Sequence, residues 1–192
     1  MLGYASIDKT DSFFIVGAKL ADPDYLRSVH PKIASQRAEM GHVGVFAHRL
    51  AVGQGAVIGY RKYSNGELSM IDDETYEKIT IWLPKGLPTS PIEVRLNDAS
   101  SAVVLRSHGG SAWPRHDCTG FVTDGALQIT PAGTHYAAKV SGRIGYHYED
   151  SHSKECGSQT LEIVIRASKL NFAELTPWLG LEGKHVYDET YR

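Results

Sequence analysis

His135-Tyr136-Ala137-Ala138-Lys139-Val140-Ser141-Gly142-Arg143-Ile144-Gly145-Tyr146-His147-Tyr148 decides the fold class of this chain. Even positions carry Tyr136, Ala138, Val140, Gly142, Ile144, Tyr146 and Tyr148, whereas odd positions include His135, Lys139, Ser141, Arg143 and His147. A period of two over this length fits a long strand with one buried face and no amphipathic helix. Gly142, midway, provides for a bend or bulge as the strand wraps a core.

The same alternation spreads outward from that stretch. Between Thr160 and Ala167, Leu161, Ile163, Ile165 and Ala167 share one face, opposite Glu162 and Arg166. Ile79, Ile81 and Leu83 oppose Thr80 and Trp82, and Ile92, Val94 and Leu96 oppose Glu93 and Arg95. Pro84, Gly86, Pro88 and Pro91 mark a loop between those two. Shorter strands are expected at 12–20, 43–50, 56–63, 67–71 and 102–107. Asn65-Gly66 and Asp124-Gly125 read as hairpin turns, the second joining Thr119–Thr123 to Ala126–Thr130. Pro131-Ala132-Gly133 then turns the chain into the long strand.

Helix is expected in two places only. Asp22-Pro23 supplies an N-cap and a proline at the first helical position, with Tyr25, Val29 and Ile33 stepping by four and Pro31 imposing a kink, for a helix over 23–40. Asn171 with Glu174 resembles a capping box, and Pro177 keeps the helix over 171–180 short. The expectation is therefore a mainly β chain, an antiparallel β-sandwich or open barrel. Its core is Ile79, Ile81, Val94, Val104, Leu127, Ile129, Val140, Ile144, Leu161, Ile163 and Ile165.

A length of 192 residues without repeat or linker fits one domain over 1–183 and a C-terminal tail over 184–192. A net charge of −2 supplies no overall field for nucleic acid or anionic membrane. No apolar run approaches the roughly 20 residues of a membrane helix, and the N-terminus lacks the pattern of a signal peptide. A cytoplasmic protein is expected on those grounds, with Cys118 and Cys156 as free thiols; in a secreted protein they would pair.

Two polar segments stand out between strands. Ser107 to Cys118 gathers His108, Gly109, Gly110, Ser111, Trp113, Arg115, His116 and Asp117, and its glycines could offer N–H groups to an anion. The plainer reading is a surface loop whose Trp113 packs back on the sheet. In the second segment His147, His152 and Cys156 fall at His-x4-His-x3-Cys spacing, and His116 or Cys118 would complete a zinc set. That spacing matches no tight zinc signature. A nucleophilic triad sketched from Ser111 or Cys118, a histidine and an aspartate has no supporting local motif. His135, Lys139, Arg143 and His147 form a polar stripe that would suit an acidic partner or serve simply as a solvent face. Tyr60-Arg61-Lys62-Tyr63 interleaves aromatic and basic residues, which equally fits a charge-protected edge strand.

With no catalytic motif of any specificity, the sequence favours a non-catalytic module that binds another protein, of inhibitor or immunity type, without cofactor. Its candidate contacts are Trp113, Arg115, His116, Lys139, Arg143, His147, His152 and Tyr187, the last on the tail. One alternative is a zinc- or thiol-dependent hydrolase using His108, His116, Cys118, His147, His152 and Cys156. The other is a β-sandwich that binds a small ligand or glycan on Trp82 and Trp113.

Overall fold

The computed structural model describes residues 8–20, 50–64, 75–97, 100–110, 118–148 and 155–171. They form β1 (Asp8–Leu20), β2 (Leu50–Ser64), β3 (Thr75–Leu83), β4 (Ile92–Arg95), β5 (Val103–Gly110), β6 (Cys118–Ala132), β7 (His135–Tyr148) and β8 (Glu155–Lys169). The alternation at 135–148 is β7 from end to end. No helix occurs among the described residues, and so none there is long and apolar enough to cross a membrane. The helices expected at 23–40 and 171–180 fall on 21–49 and, Asn171 apart, on 172–192, outside the described residues. So do the strand at 67–71, most of that at 43–50, the Asn65-Gly66 turn and the tail at 184–192.

The sheet is neither a sandwich nor an open barrel. The strands β1, β2, β3, β5, β6, β7 and β8 follow one another around a ring, and β8 returns to pair with β1. Strands that alternate in direction cannot close an odd-numbered ring without one parallel joint. That joint is β1–β8, where Phe13 faces Ser168 and Phe14 faces Lys169, prolonged by a hydrogen bond from Leu170 N to Phe14 O at 2.9 Å. Phe13 lies near the middle of β1 and Ser168 at the far end of β8, the stagger that strand tilt in a closed barrel requires. Closure joins the two edges that an open sheet would have left for other chains to pair with. The short β4 stands outside the ring. It takes Ala126–Ile129 of β6, along the same edge on which β5 takes Cys118–Phe121.

Asp124-Gly125 does not make a hairpin. β6 runs through it as one strand, with a bulge between Val122 and Asp124. The burial pattern records the slip: Cys118, Gly120 and Val122 are buried at even positions, then Leu127 and Ile129 at odd ones. One extra residue inverts the facing of everything beyond it, so both halves of β6 present apolar side chains to the same interior. Local turn propensity loses here to the pairing with β7. Gly125 stands opposite Gly142, and a Cβ on Gly125 would lie 2.1 Å from Ser141 O, closer than any side chain permits. The chain turns into β7 at Gly133-Thr134, with Gly133 at φ 65°, while Pro131 and Ala132, expected in that turn, still belong to β6 and pair with Tyr136 and His135.

Of the expected core, Ile79, Ile81, Val104, Leu127, Ile129, Val140, Ile144, Leu161 and Ile165 are buried in one cluster, and Val94 and Ile163 pack against it half-buried. A second cluster of Phe13, Ile15, Ala18, Leu50 and Val57, with Trp82 packed on it, belongs to the opposite face of β1–β3. Trp82 thus packs on this outer-face cluster and donates from Nε1 to Gln54 O at 3.4 Å. The motif Tyr60-Arg61-Lys62-Tyr63 is not on an edge strand, because β2 is paired on both sides. Its residues part between the faces: Tyr60 joins the interior, while Arg61 is buried on the other side and held by Asp11 Oδ2 at 2.9 Å.

Candidate functional site: a polar cluster at one end of the barrel

Register places the start of β1, the end of β2, the start of β3, the end of β5, the start of β6, the end of β7 and the start of β8 at one rim. Asp8 pairs with Ser64, Ser64 with Thr75, Thr75 with Gly110, His108 with Cys118, Cys118 with Tyr148, and His147 with Glu155. The strands bracketing residues 111–117 and those bracketing 149–154 therefore end side by side. Both polar segments singled out from the sequence enter and leave at this rim.

Beneath it, the inward positions stop being apolar. β3 continues the row Leu83, Ile81, Ile79 with Glu77; β5 continues Val104 with Arg106 and His108; β2 continues Ile58 with Tyr60; β8 precedes Leu161 with Gln159. These residues converge on one guanidinium. Arg106 donates from Nε to Glu77 Oε1 at 2.7 Å and from Nη1 to Gln159 Oε1 at 2.7 Å, and Nη1 also donates to the Tyr146 hydroxyl. His108 stacks on the Tyr146 ring with centroids 4.6 Å apart and planes 21° from parallel. Arg106 and Glu77 keep 11% and 25% of their side-chain surface exposed, and Gln159 is exposed, so the cluster is open toward the rim.

The electrostatics follow from that enclosure. Burial, reinforced by the Arg106 charge, lowers the His108 pKa from its ordinary value, so the imidazole is neutral at neutral pH. Burial and the Glu77 carboxylate raise the Tyr60 phenol above its ordinary value. Burial by itself lowers the Arg106 pKa, but Glu77 and the Tyr146 hydrogen bond outweigh it and leave Arg106 raised. The cluster holds one cation and one anion in contact and is otherwise neutral.

Cys118 and Cys156 form a disulfide at the same rim, with Cα atoms 6.1 Å apart. This overturns the expectation of two free thiols. Cys118 opens β6 and Cys156 is the second residue of β8, each just after a polar segment, and the barrel's curvature brings β6 and β8 together across the end of β7. Neither sulfur is available as a nucleophile or zinc ligand while the bond stands, which removes both from the candidate set His116, Cys118, His147, His152 and Cys156. Among the described residues no three His, Cys, Asp or Glu side chains group as metal ligands.

Of the other residues singled out from sequence, Trp113, Arg115, His116, His152 and Tyr187 lie outside the described residues, and of His147 only the backbone is described. Lys139 is exposed on β7 and pairs with Glu162 at 3.5 Å; Arg143 is exposed with Asp124 as its register partner. Within the basic stripe Lys139 is thus paired with an acidic residue of the same sheet. His108, read as part of a loop, is instead a strand residue inside the barrel end. Glu77, Arg106 and Gln159, and the roles of Tyr60 and Tyr146, escaped the sequence reading. Their signal was present: each is a polar or hydroxyl-bearing residue at the apolar parity of its strand. Compared with known proteins, the chain matches no family model, no curated protein and no solved structure.

Proposed function

We propose that this is a non-catalytic binding protein that takes a small polar molecule in the rim end of its barrel. The observation that carries this reading is the convergence of Glu77, Gln159 and Tyr146 on Arg106, inside a barrel that is otherwise filled mainly with apolar side chains. Ligand sites in small barrels sit at the mouth, where a few polar groups orient a molecule against apolar walls. A guanidinium fixed by three neighbours loses little freedom when it binds, which favours affinity.

Among the expectations from sequence, the small-ligand alternative gains most, moved from Trp82 and Trp113 to the barrel end. The protein-partner reading keeps residues 111–117 and 149–154, whose flanking strands end at this rim, and Lys139 and Arg143 exposed on β7. The disulfide weighs toward an oxidising compartment and against the cytoplasmic expectation, because cytosolic thiol pools keep such pairs reduced.

The test is titration of isotope-labelled protein with neutral sugars, amides and nucleosides, following the aromatic signals of Tyr60, His108 and Tyr146. Saturable shifts centred on these three rings are expected. Shifts confined to Lys139, Arg143 and their neighbours on β7 would place binding on the outer face and overturn the reading.

A further inference from the structure

We propose that Arg106 is the anchor of this site and that its ligand is a neutral molecule bearing an amide or ketone carbonyl, whose oxygen accepts from Nη2. This presupposes the ligand-binding reading above and adds the class of molecule. A guanidinium carries five N–H groups. The Nε group is used on Glu77, and Nη1 is used on Tyr146 and Gln159. Nη2 makes no hydrogen bond to a described residue, although the side chain is only 11% exposed. A charged donor with no protein acceptor among the described residues is free to take one from a ligand.

Charge decides what the acceptor is. Glu77 already sits 2.7 Å from Nε and neutralises the guanidinium. A ligand carboxylate at Nη2 would place a second anion around the same cation in a half-desolvated site, with no further cation among the described residues of the cluster to offset it. His108 does not provide one, since its surroundings hold it neutral. An ammonium ligand would face Arg106 directly. A carbonyl oxygen supplies the acceptor without the charge, and it has no proton of its own that needs a partner. Glu77, Gln159 and Tyr146 are then positioning residues, because they fix the plane of the guanidinium and so the direction of Nη2.

The experiment uses the full chain, labelled with nitrogen-15, and three probes at matched ionic strength: acetamide, sodium acetate and methylammonium chloride. The readout is the Arg106 side-chain Nε–H signal with the backbone amides of 104–108. Acetamide is expected to give a saturable shift, acetate to need at least about tenfold higher concentration for the same effect, and methylammonium to give none. The acetamide response should vanish in Arg106→Lys, which keeps the charge but loses the fork. Acetate acting at the lower concentration would overturn the ligand class while leaving the site in place. A response to acetamide that survives in Arg106→Lys would overturn the anchor. Silence of all three probes at the rim signals in the native chain would overturn the ligand-binding reading itself, and this comparison does not depend on the variant folding.

Discussion

Arg106 of β5 and Glu77 of β3 meet inside the barrel end, Nε to Oε1 at 2.7 Å, although neither belongs to a segment that local sequence marks as functional. They are diagonal neighbours across the sheet, since Glu77 pairs in register with His108 and Arg106 with Ile79. Removing one partner strands the other in a poorly solvated place. Arg106→Met is expected to lower stability by about 1–3 kcal/mol, and Glu77→Gln by less, because the amide oxygen still accepts from Nε. Urea unfolding of the two variants measures both. Equal losses would show that charge, and not hydrogen bonding, holds the pair.

His108 sets a pH dependence whose sign is fixed by its surroundings. Its pKa in the folded chain lies below the unfolded value of 6.5. Protons therefore bind the unfolded chain more readily, and stability is full above pH 6.5 and falls as pH drops toward the folded pKa. Thermal unfolding followed downward from mildly alkaline pH should show this decline, and His108→Gln should remove part of it. A His108 carbon-13 titration with a midpoint above 6.5 would reverse the sign.

The disulfide joins β6 to β8 across a sequence separation of 38 residues. On the chain-entropy model such a bridge contributes roughly 4 kcal/mol, less whatever β7 already imposes on the unfolded chain. Paired Cys118→Ala and Cys156→Ala substitutions are expected to lower stability by about 2–4 kcal/mol while the β-rich circular dichroism is kept. The native chain should lose a similar amount in strong reductant, and alkylation with mass analysis should find no free thiol before reduction.

How much was legible from sequence depends on which force acts over which range. β7 and β8 were legible because Tyr136 to Tyr148 and Leu161 to Ala167 alternate with few exceptions, Ala137 and Val164 among them, and alternation is a local record of burial. Asp124-Gly125 misled because its turn propensity is local, whereas the pairing of Gly125 with Gly142 that overrides it is not. The parity change from Val122 to Leu127 was the available signal for a bulge. Closure by β1 and β8 leaves no mark on either strand's sequence, since it joins segments far apart along the chain. In the site, the loops dense in His, Ser and Cys are conspicuous by composition alone. Arg106 near Val104 and Glu77 near Ile79 are anomalies only against the parity of their strands. A charge on the apolar parity of a strand requires a partner across the interior.

Gly125 gives the sharpest test of the barrel's curvature. A Cβ at this position would lie 2.1 Å from Ser141 O and 2.6 Å from Gly142 Cα. Gly125→Ala therefore has backbone to displace and is expected to cost more than about 3 kcal/mol or abolish soluble expression. At Gly133 a Cβ meets nothing within 4 Å, so Gly133→Ala carries only the strain of φ 65°, about 1–2 kcal/mol. Comparable losses at the two positions would mean that β6 and β7 are not pressed together where Gly125 faces Gly142.

Calorimetric titration of the tightest ligand from the neutral panel, into native, Arg106→Met and Lys139→Ala proteins, tests the barrel-end site most directly. Arg106→Met should weaken binding by at least about tenfold, a loss of about 1.4 kcal/mol, while Lys139→Ala on the outer face of β7 leaves it unchanged. Unaltered affinity in a folded Arg106→Met protein would contradict the assignment of the barrel end as the place where this protein binds.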